Sequence, residues 1–251
     1  NSEPVEASSD KSYQPSEKVS LLDEAGHLAA SPLQRGLEVS LKNADSATTH
    51  DVLEEIGKDK GFDYSRSINP TRVVLEENLA SLDNGKFGIA FASGMAAISA
   101  ITTLLSKGDH VVVSDDVYGG VYRFFEKILR RYGLEFTYVD STDPKNVREA
   151  IKDNTKIIWI ETPTNPLLKI TDLEAISKIK KEKNLLFVVD STFASAYILK
   201  RLDLGADIVV HSTTKYLSGH NQIIGGIVVV SDDKLAEEFK FAQKSIGAVP
   251  G

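Results

Sequence analysis

Asp207-Ile-Val-Val-His-Ser-Thr-Thr-Lys-Tyr-Leu-Ser-Gly-His-Asn-Gln-Ile-Ile-Gly-Gly226 is the stretch from which the rest of the chain can be read. An apolar, β-branched run, Ile208 to Val210, leads into a turn rich in hydroxyls, and a second run, Ile223 to Val230, follows it. Both runs are apolar without alternation, the pattern of strands covered on both faces. Lys215 stands between them. Burying an ammonium is costly unless it is paired or loses its proton. The lysine is therefore either an ordinary exposed residue of a surface turn or a part-desolvated amine able to condense with a carbonyl. Ser212, Thr213 and Thr214 just before it are hydroxyl donors of the kind that hold a phosphate. The surface turn is the plainer reading of this stretch alone.

Upstream, short apolar runs alternate with helical patterns. Thr71 is expected to cap a helix from Arg72 to Leu82, with Val74, Leu75, Leu79 and Leu82 at helical spacing. Gly88 to Ser93 reads as a strand that turns at Ser93-Gly94-Met95 into a helix from Ala96 to Leu105. Such a corner offers free backbone N–H groups and the positive end of a helix dipole to an anion, although plain strand-to-helix corners are common. Further strands are expected from His110 to Ser114, Phe136 to Val139, Ile157 to Glu161 and Leu185 to Asp190. Helical stretches are expected over Val117 to Tyr132, broken early by Gly119-Gly120, and over Asn146 to Lys152, Leu173 to Lys183 and Asp232 to about Ser245. This alternation predicts an α/β fold with a mostly parallel sheet and helices on both faces. Ser93, Asp115, Glu161, Asp190 and Ser212 then fall at the carboxyl ends of strands, the edge at which open α/β sheets bind ligands.

Composition bounds the function classes. Of 251 residues 41% are hydrophobic and 26% charged, which is globular. The net charge of −7 argues against nucleic-acid partners. The absence of cysteine excludes disulfides, thiolate nucleophiles and Cys-ligated metal. No apolar run approaches the ~20 residues a membrane span needs, and the polar first twenty residues do not form a signal peptide, so a cytoplasmic protein is expected. The chain starts at Asn1 rather than Met, which suggests a fragment or a processed form. Residues 1–18 are expected to be disordered, 19–61 to form an N-terminal arm, and 62–251 to form the main domain.

Asp190 ends a wholly apolar strand, so its carboxylate needs a cationic or donor partner. Beside a lysine and a phosphate cup, a protonated pyridine nitrogen fits that need. The requirements of pyridoxal phosphate are thus met on one sheet edge, while a strand-end Asp bonded to backbone is the simpler alternative. Tyr118 before two glycines is placed to stack on a ring or to be one more half-buried aromatic. Arg66 and Arg123 are candidate anion clamps, though most arginines are only solvated. His211 and His220 flank Lys215 without metal-ligand spacing and read as structural. No dinucleotide or P-loop motif is present.

The set of motifs resembles the cysteine and methionine metabolism family of pyridoxal-phosphate enzymes. It is carried by Tyr64-Ser-Arg-Ser-Ile-Asn-Pro-Thr-Arg72, Phe91-Ala-Ser-Gly-Met-Ala-Ala97, Asp116-Val-Tyr-Gly-Gly120, Ile160-Glu-Thr-Pro-Thr-Asn-Pro166 and His211-Ser-Thr-Thr-Lys-Tyr216. The resemblance is nearest to the cystathionine γ-lyases and implies the large domain of a fold-type-I, aspartate-aminotransferase-like enzyme. Lys215 and Tyr118 would be catalytic: Lys215 would bond to the cofactor aldehyde and move protons between substrate carbons, while Tyr118 stacks on the ring. Asp190 would pair with the pyridine nitrogen, with Thr192 beside it. Ser93, Gly94, Met95, Ser212 and Thr214 would hold the phosphate, and Glu161 and Asn165 would lie beside the cofactor. Tyr64 and Arg66 would reach the neighbouring subunit's site in a homo-oligomer, a dimer of dimers, and Arg66, Tyr118 and Arg123 would meet the substrate. The implied reaction is trans-sulfuration: C–S cleavage of cystathionine by γ-elimination to cysteine, 2-oxobutanoate and ammonia. A γ-replacement, a methionine γ-lyase and a catalytically silent relative are the alternatives.

The sequence also departs from the family. Ile68 stands for a glycine, Ser191 for an asparagine, and Asn221-Gln222 for a pair with a carboxylate. The arm lacks the motif expected before Tyr64. The C-terminal domain, with the arginine that would hold the substrate carboxylate, is expected to be missing.

Overall fold

The computed structural model describes residues 64–251; the expectations for 1–18 and 19–61 lie outside them. A seven-stranded sheet organises this region: β1 (Phe87–Phe91), β2 (His110–Ser114), β3 (Glu135–Val139), β4 (Thr155–Glu161), β5 (Leu186–Asp190), β6 (Ile208–His211) and β7 (Gly226–Val230). Their spatial order is β1-β7-β6-β5-β4-β2-β3. β3, β2, β4, β5 and β6 pair in parallel, and β7 runs antiparallel to both of its neighbours. β1 therefore points the same way as β6, and the carboxyl ends of β1, β2, β4, β5 and β6 share one edge.

Helices cover both faces, as the buried apolar strands require. One face carries α2 (Gly94–Thr102), α3 (Gly119–Lys127) and α7 (Asp233–Ile246), packed on Ile89, Val111, Trp159, Val188, Val210 and Val228. The other carries α1 (Pro70–Leu82), α4 (Pro144–Glu149) and α5 (Leu173–Lys183), packed on Val112, Ile158, Ile160, Val189, Val209 and Val229. A single-turn helix, α6 (Ser195–Ile198), follows β5. The two sets alternate residue by residue along each strand, the period-2 signature of a pleated sheet.

Several helix and strand ends differ from the sequence reading. α1 starts at Pro70, because Asn69 caps it by accepting the Arg72 N–H at 3.2 Å and Pro70 fits the first helical position; Thr71 is inside the helix. α2 starts two residues early because the Ser93 hydroxyl accepts the Ala96 N–H at 3.1 Å. It stops at Thr102, where the Thr102 and Thr103 hydroxyls donate to the carbonyls of Ser99 and Ala100. Gly119 and Gly120 begin α3 rather than interrupt it, and the helical stretch ends as a separate 3₁₀ turn, Leu129–Tyr132, closed by Gly133 at φ +85°. α4 starts at Pro144 behind the Asp143 cap and is over by Glu149. α5 matches the expected Leu173 to Lys183. β7 begins at Gly226, not Ile223: β1 ends at Phe91, whose partner is Gly226, so residues before it have no ladder to join. Ile223 and Ile224 are exposed. Among the described residues no helix is long and apolar enough to cross a membrane.

Candidate functional site

The pleat and the register together build the site. Counting along β4, β5 and β6, Trp159, Val188 and Ile208 face the α2/α3/α7 side, and so two residues later do Glu161, Asp190 and Val210. Glu161 pairs with Asp190, and Asp190 with Val210, in the parallel ladder. Two carboxylates are thus set side by side at the carboxyl edge, 5% and 6% exposed. They form part of the wall of a cavity of about 290 Å³, near the lower bound of ligand-sized pockets.

Each carboxylate is held by donors. Asp190 Oδ1 accepts the Thr192 N–H at 3.0 Å and the Thr192 hydroxyl at 2.6 Å. The same hydroxyl oxygen accepts the Ser212 N–H at 2.9 Å, tying the β5 loop to the β6 loop. Among the described residues no hydrogen bond reaches Oδ2. Glu161 Oε2 accepts the Tyr118 N–H at 2.8 Å, fixing the start of α3 over the cavity. Burial, and then the charge of Asp190, push Glu161 up to about 8. Burial raises Asp190 as well, against the Thr192 bonds, His211 and Arg201, which lower it.

At the other end of the cavity lies the β1–α2 corner. Ser93 spends its side chain on the Ala96 N–H, and among the described residues the N–H groups of Gly94 and Met95 bond to nothing in the chain, the ordinary state of a helix start. The corner is packed tightly enough to need glycine. A Cβ on Gly94 would come within 2.9 Å of Ser212 Cβ, and one on Gly226 within 2.3 Å of the Ser93 carbonyl oxygen. Ser212, Thr214 and Lys215 line the same cavity from the turn after β6. The Thr214 hydroxyl, however, already donates to the Gly225 carbonyl at 3.2 Å and accepts the Gly225 N–H at 3.0 Å. Lys215 is exposed, and its place on the cavity wall with Asp190 and Gly94 is what separates it from an ordinary turn lysine. The Tyr118 ring folds back over Gly120, where a Cβ would meet its Cε1 at 2.3 Å. Gly120 therefore lets the ring lie against the cavity.

The cavity gathers Ser93, Gly94, Met95, Tyr118, Glu161, Asn165, Asp190, Thr192, Ser212, Thr214 and Lys215. Tyr64, Arg66 and Arg123 are not among its lining residues. Arg66 is exposed, lies over the Tyr64 ring at 5.1 Å and donates to the Lys244 carbonyl at 2.6 Å. Arg123 is exposed on α3, beside Gly119. Asp115 is not among the lining residues either; it pairs with Lys169 at 2.9 Å. The lining also includes Ile98, Phe193, Val210 and Ile224, which sequence reasoning missed because apolar walls carry no titratable signature. For Val210, strand parity with Asp190 was a usable signal.

Behind the sheet, His211 Nε2 lies 2.6 Å from Asp83 Oδ2, both side chains 1% exposed. Arg201 is fully buried and donates to the carbonyls of Ser195, Leu199 and Thr162. His220, by contrast, is exposed. Among the described residues no group of three or more His, Asp or Glu side chains could hold a metal.

The family model described as Cys/Met metabolism PLP-dependent enzyme matches residues 28–251. A cystathionine beta-lyase of Coxiella burnetii is 55% identical over 195 residues, 77% of this chain and 50% of that protein. A cystathionine gamma-synthase/O-acetylhomoserine (thiol)-lyase of Bacillus subtilis is 51% identical over 194 residues, 77% of this chain and 52% of that protein. The crystal structure of a cystathionine gamma-lyase from Lactobacillus plantarum, complexed with L-serine, superposes with a TM-score of 0.77 at 47% identity. It covers 79% of this chain and 52% of that one. The chain spans about half the length of these relatives.

Proposed function

We propose, for a chain that belongs to the Cys/Met metabolism family of pyridoxal-phosphate-dependent enzymes, that the whole protein cleaves the C–S bond of cystathionine by γ-elimination. The observation that carries the reading is one cavity holding a lysine amine, a buried carboxylate and an unpaired helix N-terminus. The residues fit the cofactor. The free N–H groups of Gly94 and Met95 and the Ser212 hydroxyl suit its phosphate. Oδ2 of Asp190 suits its ring nitrogen, and a positive charge there would relieve the crowding of two buried acids. Bound pyridoxal phosphate supplies an aldehyde for the amine and a ring that stores electrons released at a substrate carbon.

Within that site each side chain has a definite task. The Lys215 amine would hold the cofactor through its aldehyde, and the same amine would be the base and acid that moves a proton between substrate carbons. Asp190 would hold the ring nitrogen in its protonated form. Tyr118 covers the site, limits water access, and has a hydroxyl able to give a proton to the departing sulfur. Tyr64 and Arg66, exposed and off their own cavity wall, would complete the site of a neighbouring copy in a homo-oligomer. Mixed oligomers of R66A and K215A chains should then regain activity that neither variant has alone. The relatives' names differ in reaction, and the choice of γ-elimination rests on resemblance.

Product analysis tests the choice. Incubation of the purified protein with cystathionine and pyridoxal phosphate should release 2-oxobutanoate and cysteine. Pyruvate with homocysteine would instead mean β-elimination. Turnover only when an activated homoserine and cysteine are supplied would mean γ-replacement. Cofactor binding without any product would overturn the lyase reading while leaving the site assignment intact.

A further inference from the structure

Glu161 and Asp190 face each other across the β4–β5 ladder, both buried, and among the described residues neither has a lysine, arginine or histidine within ion-pair distance. Two acids so placed cannot both be charged cheaply, and a shared proton removes the repulsion. Their surroundings decide which acid holds it. Asp190 takes two donors from Thr192 on one oxygen, and Arg201 and His211 favour its charged form from behind the sheet. Glu161 meets Asp190 on one side and Asp116, from the loop after β2, on another. Its donors are neutral backbone amides, those of Tyr118 at the start of α3 and Asn165 in the loop after β4. Lys215 lines the same cavity.

We propose that Glu161 is a positioning residue that carries the proton of this pair at neutral pH, clamping the Tyr118 amide as a neutral acid and leaving Asp190 the only anion in that wall. The upward shift of Glu161 to about 8 agrees with that placement. A neutral acid still accepts the Tyr118 N–H through one oxygen, so the ring over the cavity stays in place without a second charge competing for the cofactor's nitrogen. The proposal deepens the cofactor reading, yet the proton can be sought in the chain without any cofactor.

Infrared difference spectroscopy on the unliganded full chain in D₂O reads it directly. The wild type at pH 7 should show a protonated-carboxyl C=O stretch that fades as pH rises through about 8. E161Q should lack this band at every pH, whereas D190N, which removes the neighbouring charge, should keep it at low pH and lose it at a lower pH than the wild type does. Amide exchange at Tyr118 should stay slow in E161Q, whose side-chain carbonyl still accepts, and accelerate by about tenfold or more in E161A, consistent with losing a hydrogen bond of about 1.5 kcal/mol. A wild-type spectrum without the band would overturn the proposal, as would a band that survives in E161Q or one absent from D190N at every pH. The wild-type titration stands by itself if a variant fails to fold. Because no cofactor is present, either outcome is separate from the fate of the cofactor reading.

Discussion

Gly226→Ala is the sharpest test of how the phosphate corner is packed. Its Cβ would lie 2.3 Å from the Ser93 carbonyl oxygen, 2.6 Å from the Ser93 carbonyl carbon and 2.8 Å from Gly94 Cα. All three are backbone atoms, so no rotamer change relieves the contact. Strand β7 would have to move by about an ångström from a position fixed by ladders to β1 and β6. Overpacking of that kind costs typically 1–3 kcal/mol, and the rigid backbone on both sides puts this case at about 3. With a urea slope of about 2 kcal/mol/M, the denaturation midpoint should fall by about 1.5 M. Gly119→Ala is the matched control, because its Cβ would meet only Arg123 Nη1 at 3.6 Å, at the first residue of a helix. It should be neutral to stabilising by about 0.5 kcal/mol. Gly226→Ala should also weaken cofactor binding, since the displaced backbone belongs to the anion corner. Equal urea midpoints for the two variants would refute the packing described here.

Two further predictions concern buried polar groups away from the cavity. His110, fully buried at the opposite edge of the sheet with its ring nitrogens 2.7 Å from Thr155 Oγ1 and 2.8 Å from Thr137 Oγ1, is pushed down to about 4 by burial. Its folded state favours the neutral ring, so its contribution is present above the unfolded value of about 6.5 and is lost as pH falls from there towards 4. The stability difference between wild type and H110Q should therefore shrink by up to about 3 kcal/mol between pH 7 and pH 4, measured by urea titration at each pH; a constant difference would contradict it. Asp83→Ala removes the partner of the buried His211 ring nitrogen and should cost about 3 kcal/mol in the same assay, against less than about 0.5 for an alanine at the exposed Asp233.

Most of the sheet was legible because its strands are apolar on both faces and stop at polar residues. Glu161, Asp190 and Ser212 mark the carboxyl edge in the sequence as clearly as in the fold. Element ends were less legible. Asn69, Ser93 and Asp143 reach forward to cap their helices, and a cap is decided by which backbone amides are free rather than by hydrophobic period. Ile223 and Ile224 look like strand and are not, since strand identity depends on a partner and β1 offers none beyond Phe91. The pairing of Asp83 with His211, 128 residues apart, had no local signal at all. Tyr118 was found as an aromatic before glycines, but its tether to Glu161 depends on β4 and α3 meeting at one edge.

Every role assigned to the cavity requires the amine of Lys215 to be the group that takes the cofactor. Borohydride reduction of the protein after incubation with pyridoxal phosphate, followed by peptide mapping, tests this most directly. One label per chain, on Lys215 and absent from K215A, is the predicted result. A label on another lysine such as Lys169 or Lys107, or no stable label at all, would contradict it.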